Sequence, residues 1–139
     1  MIHNPAPRPV ITLDFNRKRI RLYKKTLRLI GDPEYILLLV NPGERTMAIA
    51  RSDGVDLRAY RIQWTPFHLE RRYIELQSNS LMRNLLELCA NCQVNHAYRI
   101  CGECIPGEDA MQFNLENPVM IGKDKGHSNG GIQDVCVNH

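Results

Sequence analysis

Residues 20–27 read IRLYKKTL and residues 74–81 read IELQSNSL. Whether these are two copies of one element decides the fold. In both, Ile, a charged residue and Leu alternate as in a half-buried strand, and a helical apolar pattern follows. A second match lies downstream: residues 41–49 read NPGERTMAI and residues 105–113 read IPGEDAMQF. The first pair is offset by 54 residues and the second by 64. The difference falls inside the intervening helix, short in KKTLRLIG (24–31) and long in SLMRNLLELCANC (80–92). There Leu81, Leu85 and Cys89 recur at helical spacing. The reading is a β-α-β-β unit used twice. The expected fold class is α+β, with tandem duplicated units forming one small pseudo-two-fold sheet or barrel domain.

Working outward, VITLDF (10–15) alternates as a strand, and Ile20 and Leu22 face away from Arg19, Arg21 and Tyr23. EYILLLV (34–40) and TMAIA (46–50) form a hairpin through Asn41-Pro42-Gly43-Glu44. In that turn Pro sets φ and Gly is expected to supply φ > 0. LRAYRIQW (57–64) reads as a further strand, and HAYRICGEC and AMQFNL as strands around the turn at 105–108. The predicted map is a mobile Pro-rich arm at 1–9, one domain at 10–116 made of repeats 10–62 and 73–116, and a flexible Gly-rich tail at 117–139. Trp64 and Phe67 read as core or linker aromatics.

A chain of 139 residues with 43% hydrophobic and 24% charged residues has the size and composition of one globular domain, not of a disordered polymer. Its longest apolar run, YILLLV (35–40), is far short of the ~20 residues that span a bilayer, so no membrane partner is expected. The first ten residues hold three prolines and no apolar signal core, which points to a cytoplasmic protein. Five cysteines, an odd number, then point to reduced thiols.

Four of them lie in residues 89–104, CANCQVNHAYRICGEC. Zinc would need the thiolates of Cys89, Cys92, Cys101 and Cys104 at the corners of one tetrahedron. The repeat instead aligns Cys101 with Leu37 and Cys104 with Val40, inside a strand, and Cys89 lies on the helix's apolar stripe. A strand sends Cys101 and Cys104 to opposite faces. Core thiols without a cofactor are therefore the reading, with Cys89 and at least one of Cys101 and Cys104 buried; zinc is the alternative. A redox pair would open a helix, whereas CANC closes one.

Catalytic chemistry finds no foothold. His3, His68, His96, His127 and His139 include no pair at i, i+4, no Gly-rich loop follows a strand, and no Gly-x-Ser-x-Gly occurs. The protein is read as a non-enzyme. Charge is more telling: residues 1–62 carry 12 Lys and Arg against 6 Asp and Glu, and residues 63–139 carry 6 against 9. Residues 17–28, RKRIRLYKKTLR, hold seven of the cations and no acid. Before the second helix stand Gln77, Ser78 and Asn79, which suit a helix start; before the first stand Tyr23, Lys24 and Lys25, and Arg21 replaces Glu75. Such rule-breaking in one copy alone marks a functional segment.

Arg17, Lys18, Arg19, Arg21, Lys24, Lys25 and Arg28 are thus the expected footprint of a small nucleic-acid-binding protein, with Arg19, Arg21, Lys24 and Lys25 in one patch. Replacing Arg21, Lys24 and Lys25 by Glu, Ser and Asn is expected to spare the fold and abolish binding. The alternative is a protein-interaction or structural module, signalled by acids from elsewhere neutralising the basic strand. Either role is compatible with a homo-oligomer.

The basic strand, short helix ending near Gly31 and following hairpin, RKRIRLYKKTLRLIGDPEYILLLV and TMAIA, resemble the swapped-hairpin DNA-binding family typified by the AbrB and MraZ proteins. The resemblance covers residues 17–50 and, more weakly, 73–115. It implies a pseudo-dimeric α+β barrel whose basic residues meet phosphates.

Overall fold

The computed structural model describes residues 8–63 and 71–121. In chain order the elements are β1 (Val10–Asp14), β2 (Arg19–Tyr23), α1 (Lys24–Arg28), β3 (Tyr35–Asn41), β4 (Thr46–Ser52), β5 (Tyr60–Arg61), β6 (Tyr73–Gln77), α2 (Asn79–Leu88), β7 (Ala97–Cys104), β8 (Ala110–Asn114) and β9 (Val119–Met120). The strands join antiparallel in the order β5-β3-β4-β8-β7-β1-β2-β6, with β9 beside β7. The sheet curls into a half-barrel, an α+β architecture.

Local chemistry explains the elements. The β1–β2 turn closes because Asp14 Oδ1 accepts from the backbone N–H groups of Asn16 and Arg17, and Lys18 takes a left-handed φ of 59°. Helix α1 starts at Tyr23 without a side-chain cap, whereas the Ser78 hydroxyl caps α2 by accepting from Leu81 N–H at 3.3 Å. The uncapped helix is tied down from its flank: buried Thr26 donates its hydroxyl to Val10 C=O at 2.9 Å and accepts from Val10 N–H at 3.1 Å. Its C-cap is Leu29, and the turn that follows reaches Gly31, φ 86°, against which the Arg51 guanidinium packs.

The inner faces of the sheet meet both helices in one core. Ile11, Leu13, Ile20, Leu22, Leu27, Ile36, Met47, Ile49, Leu85, Ile100 and Phe113 are all at most 1% exposed. β2 alternates buried and half-open positions in the pattern iBiBi, as β7 does up to Gly102, while β1, covered by strands on both edges, buries Ile11, Thr12 and Leu13 in succession. β7 changes neighbours midway: residues 97–101 pair with β1, and Gly102 onward with β8. At Gly102 the Phe113 ring and Gln112 carbonyl occupy the space a Cβ would take.

Some expectations need amending. The strand read at 57–64 shrinks to Tyr60–Arg61, because Asp56 accepts from Arg58 N–H and holds the preceding residues in a turn. In the 41–45 turn Arg45, not Gly43, takes the positive φ of 55°, with Asn41 Oδ1 accepting from Glu44 N–H. The stretch read as tail holds β9, paired with Tyr98 and Arg99. Trp64, Phe67, most of the N-terminal arm and the tail beyond Ile121 lie outside the described residues.

Candidate nucleic-acid interface

The seven cations of residues 17–28 divide into three groups along β2 and α1. Arg17 and Lys18 are exposed at the β1–β2 turn. Arg19 and Arg21 project from β2 on the face away from the core, and β6 alongside sends Glu75 between them. Arg19 Nη1 donates to Glu75 Oε1 at 3.0 Å, and Arg21 donates through Nε and Nη2 to Oε2 at 3.2 and 3.1 Å. One carboxylate from elsewhere in the fold therefore answers two guanidiniums. Lys24, Lys25 and Arg28 follow on α1, with Lys25 and Arg28 exposed.

The electrostatics of the clamp follow from its burial. The Glu75 side chain is only 14% exposed. Burial pushes its carboxyl pKa up, but the hydrogen bonds from Arg21 and Arg19 and their charges outweigh this and hold it below the usual carboxylate range. Burial likewise pulls Arg21 down; its hydrogen bond to Glu75 and the nearby Tyr23, Tyr73 and Glu75 reverse that and leave it above its ordinary value. The Arg21 guanidinium also lies 4.3 Å from the centroid of the Tyr73 ring. Tyr23 and Tyr73 pack edge to face at 6.2 Å, and the Tyr23 hydroxyl shares a 2.7 Å hydrogen bond with buried Thr12. Arg99 reaches the same face from β7, 6.0 Å from the Tyr23 ring centroid.

The expected single patch of Arg19, Arg21, Lys24 and Lys25 is therefore divided. The Glu75 clamp neutralises part of the strand, and the helix cations find other company. Lys24 N–H donates to Arg72 C=O at 2.9 Å, which brings exposed Arg71 and Arg72, ahead of β6, to the start of α1. Arg71, Arg72, Arg99 and Glu75 lie outside the run that the sequence singles out. The signal for Glu75 was its alignment with Arg21; that for Arg71 and Arg72 was only their adjacency to β6. The clamp also revises the substitution of Arg21 by Glu: that change places two carboxylates opposite each other across β2 and β6, so the fold is not expected to be spared.

The cysteines part company as well. Cys89 ends α2, 4% exposed, and forms a disulfide with Cys92. Cys101 is half-buried and also disulfide-bonded, and Cys104 is free and exposed. The expectation of reduced thiols fails for three of the four, and burial holds for Cys89 but for neither Cys101 nor Cys104: alternation turns Cys101 outward between buried Ile100 and Gly102, and Cys104 lies where the end of β7 emerges from the core. Sulfurs bonded as disulfides are not thiolate ligands, and among the described residues no three His, Cys, Asp or Glu side chains converge as a metal requires. Among the described residues, too, no helix is long and apolar enough to cross a membrane.

No protein-family model, curated protein or solved structure matches the chain.

Proposed function

We propose that this chain is a non-catalytic nucleic-acid-binding module whose phosphate contacts come from Lys24, Lys25 and Arg28 on α1 together with Arg71 and Arg72. The observation that carries the reading is the Lys24–Arg72 backbone hydrogen bond, which gathers cations from two distant segments around one short helix. Phosphates reward such a cluster because each neutralised contact releases condensed counterions. Arg19 and Arg21 serve this reading as scaffold, fixing β2 to β6 beneath the helix start.

The scaffold is a β-α-β-β unit used twice, β2-α1-β3-β4 and β6-α2-β7-β8, in the manner of the AbrB/MraZ-like family. Strand registers support it. Leu38 pairs with Ile49 and Gly102 with Phe113, each member 64 residues beyond its counterpart. Where the units meet, Ala48 faces Gln112 and Arg21 faces Glu75, again aligned residues placed opposite each other, as a two-fold axis between the units requires. The order β5-β3-β4 mirrors β1-β7-β8 about the β4–β8 contact.

The test is a salt-titrated binding assay with duplex and single-stranded DNA and RNA. Binding should weaken with a log–log slope of about −4 to −5 for duplex DNA, near −0.9 for each of the five contacted phosphates. Lys25→Ser combined with Arg28→Gln should remove about two units of that slope while the far-ultraviolet spectrum stays unchanged. Absence of binding at low salt, or binding untouched by the double substitution, leaves the second reading, a protein-interaction or structural module, which the Glu75 clamp favours.

A further inference from the structure

β3 is served unequally on its two edges. β4 pairs with its whole length, from Tyr35–Ser52 to Asn41–Thr46, while β5 pairs on the other side with Tyr35 and Ile36 alone. Residues 37–41, Leu-Leu-Leu-Val-Asn, have no strand neighbour on that side among the described residues. Edge strands normally carry charge, proline or a bulge to discourage pairing; this one carries none of the charges or prolines, and its register with β4 runs without a break.

Backbone alternation fixes which groups face outward. Ile62 N–H donates to Glu34 C=O, so Glu34, Ile36, Leu38 and Val40 present their amides to the β5 side, and the residues between them present theirs to β4. That stretch, open among the described residues, therefore offers the N–H and C=O of Leu38 and of Val40, symmetric about Leu39. Leu39 itself is 39% exposed on the outer face, beside Ala48.

We infer that this edge is a self-association surface, joining residues 37–41 of two copies antiparallel about a two-fold axis at Leu39. Leu38 of each copy bonds Val40 of the other, satisfying the outward amides in four hydrogen bonds. The two Leu39 side chains meet in the close, non-hydrogen-bonded position, with Cα atoms about 4.5 Å apart. The slot suits a second copy of itself: beyond residue 41 the chain turns away at Pro42, where β5 of the other copy begins. Charge agrees, since the turn bearing Glu44 and Arg45 comes to rest near the other copy's loop bearing Asp53, Asp56 and Arg58, where the surplus acid suits Arg45. That loop also offers Leu57, fully exposed, and Val55, which with Leu37 lines an open cleft of about 880 Å³. A five-residue strand pair alone falls short of the ~1,200 Å² that stable interfaces bury, so a dimer that dissociates on dilution is expected.

Sedimentation velocity of the full chain across a dilution series tests this. The parent should show a concentration-dependent monomer–dimer equilibrium. Leu39→Lys and Leu39→Glu, at an exposed position, should each stay monomeric with an unchanged circular dichroism spectrum, because like charges meet on the axis. Mixing the two variants at low ionic strength should restore a dimer. A parent that is monomeric at every concentration, a Leu39→Lys variant that dimerises like the parent, or a mixture that stays monomeric overturns the inference.

Discussion

The unit around α1 and the unit around α2 answer the same structural demands with different chemistry. α2 runs ten residues, starts under the Ser78 hydroxyl and buries Met82, Leu85 and the Cys89 that ends it. α1 runs five, has no side-chain cap and starts with two lysines. What α1 lacks locally it receives from other elements: Thr26 bonds Val10, Lys24 N–H bonds Arg72 and Arg51 donates to the carbonyls of Ile30 and Gly31. The hairpins differ likewise, with the left-handed turn residue at Arg45 in one and Gly107 in the other, and Leu38 in the first where Gly102 stands in the second. Tertiary contacts that replace a cap release the helix start from capping chemistry, and cations can then occupy it.

The largest break in this comparison is expected at Gly102. Gly102→Val should destabilise by ~3 kcal/mol or more, because the added carbons meet the Gln112 carbonyl and the Phe113 ring, whose backbone and core position cannot yield. Thermal unfolding measures it, and an unchanged midpoint would remove the reason for glycine in the second hairpin.

Next comes the clamp. Arg21→Glu should cost roughly 2–3 kcal/mol in urea unfolding, since it removes a charge-assisted hydrogen-bond pair and sets a second carboxylate against Glu75. Exchanging both residues, Arg21→Glu with Glu75→Arg, should recover most of that loss if the two units are related by an axis passing between them; no recovery would argue against the axis. pH sharpens the same point. Glu75 has its folded pKa below its unfolded value, so the clamp's stabilisation is complete above the ordinary carboxylate range and is lost as pH falls through the folded value. Glu75→Gln should therefore flatten the acid limb of the stability curve, and a limb that keeps its slope would assign acid sensitivity elsewhere.

The smallest effect belongs to the cap. Ser78→Ala should lower stability by about 1 kcal/mol, the usual value of a helix N-cap. Equal sensitivity at Tyr23→Ala, measured as hydrogen-exchange protection within α1, would instead be traced to the lost Thr12 hydrogen bond.

Alternation and helical spacing made β2, β6, α2 and both hairpins legible, because those signals depend only on which face meets the core. The site was less so. Glu75 stands between Arg19 and Arg21 because β2 and β6 are neighbours, and neither strand's own pattern says which strand lies beside it. Arg71 and Arg72 join α1 through a backbone amide, a bond that no side-chain identity announces. β5 failed as a long strand because Asp56 and Arg58 bind each other locally in a stretch whose apolar spacing looked extended. The Cys89–Cys92 bond escaped because helix periodicity places Cys89 correctly but is silent about the turn, with Asn91 at φ 58°, that brings Cys92 back to it.

The position of β1 has a consequence for how the molecule comes into being. Val10–Asp14, the first strand in order among the described residues, lies between β2 and β7, and Val10 finds its partner Cys101 only when most of the described chain has been synthesised. Until then one side of β1 is an open ladder, and the apolar residues Ile11 and Leu13 lack the neighbours that β7 brings. Closing so long a loop is entropically expensive and rewards the chain only at the end. The nascent protein therefore passes through a prolonged interval with a bare, adhesive strand, an interval in which a chaperone has something to hold.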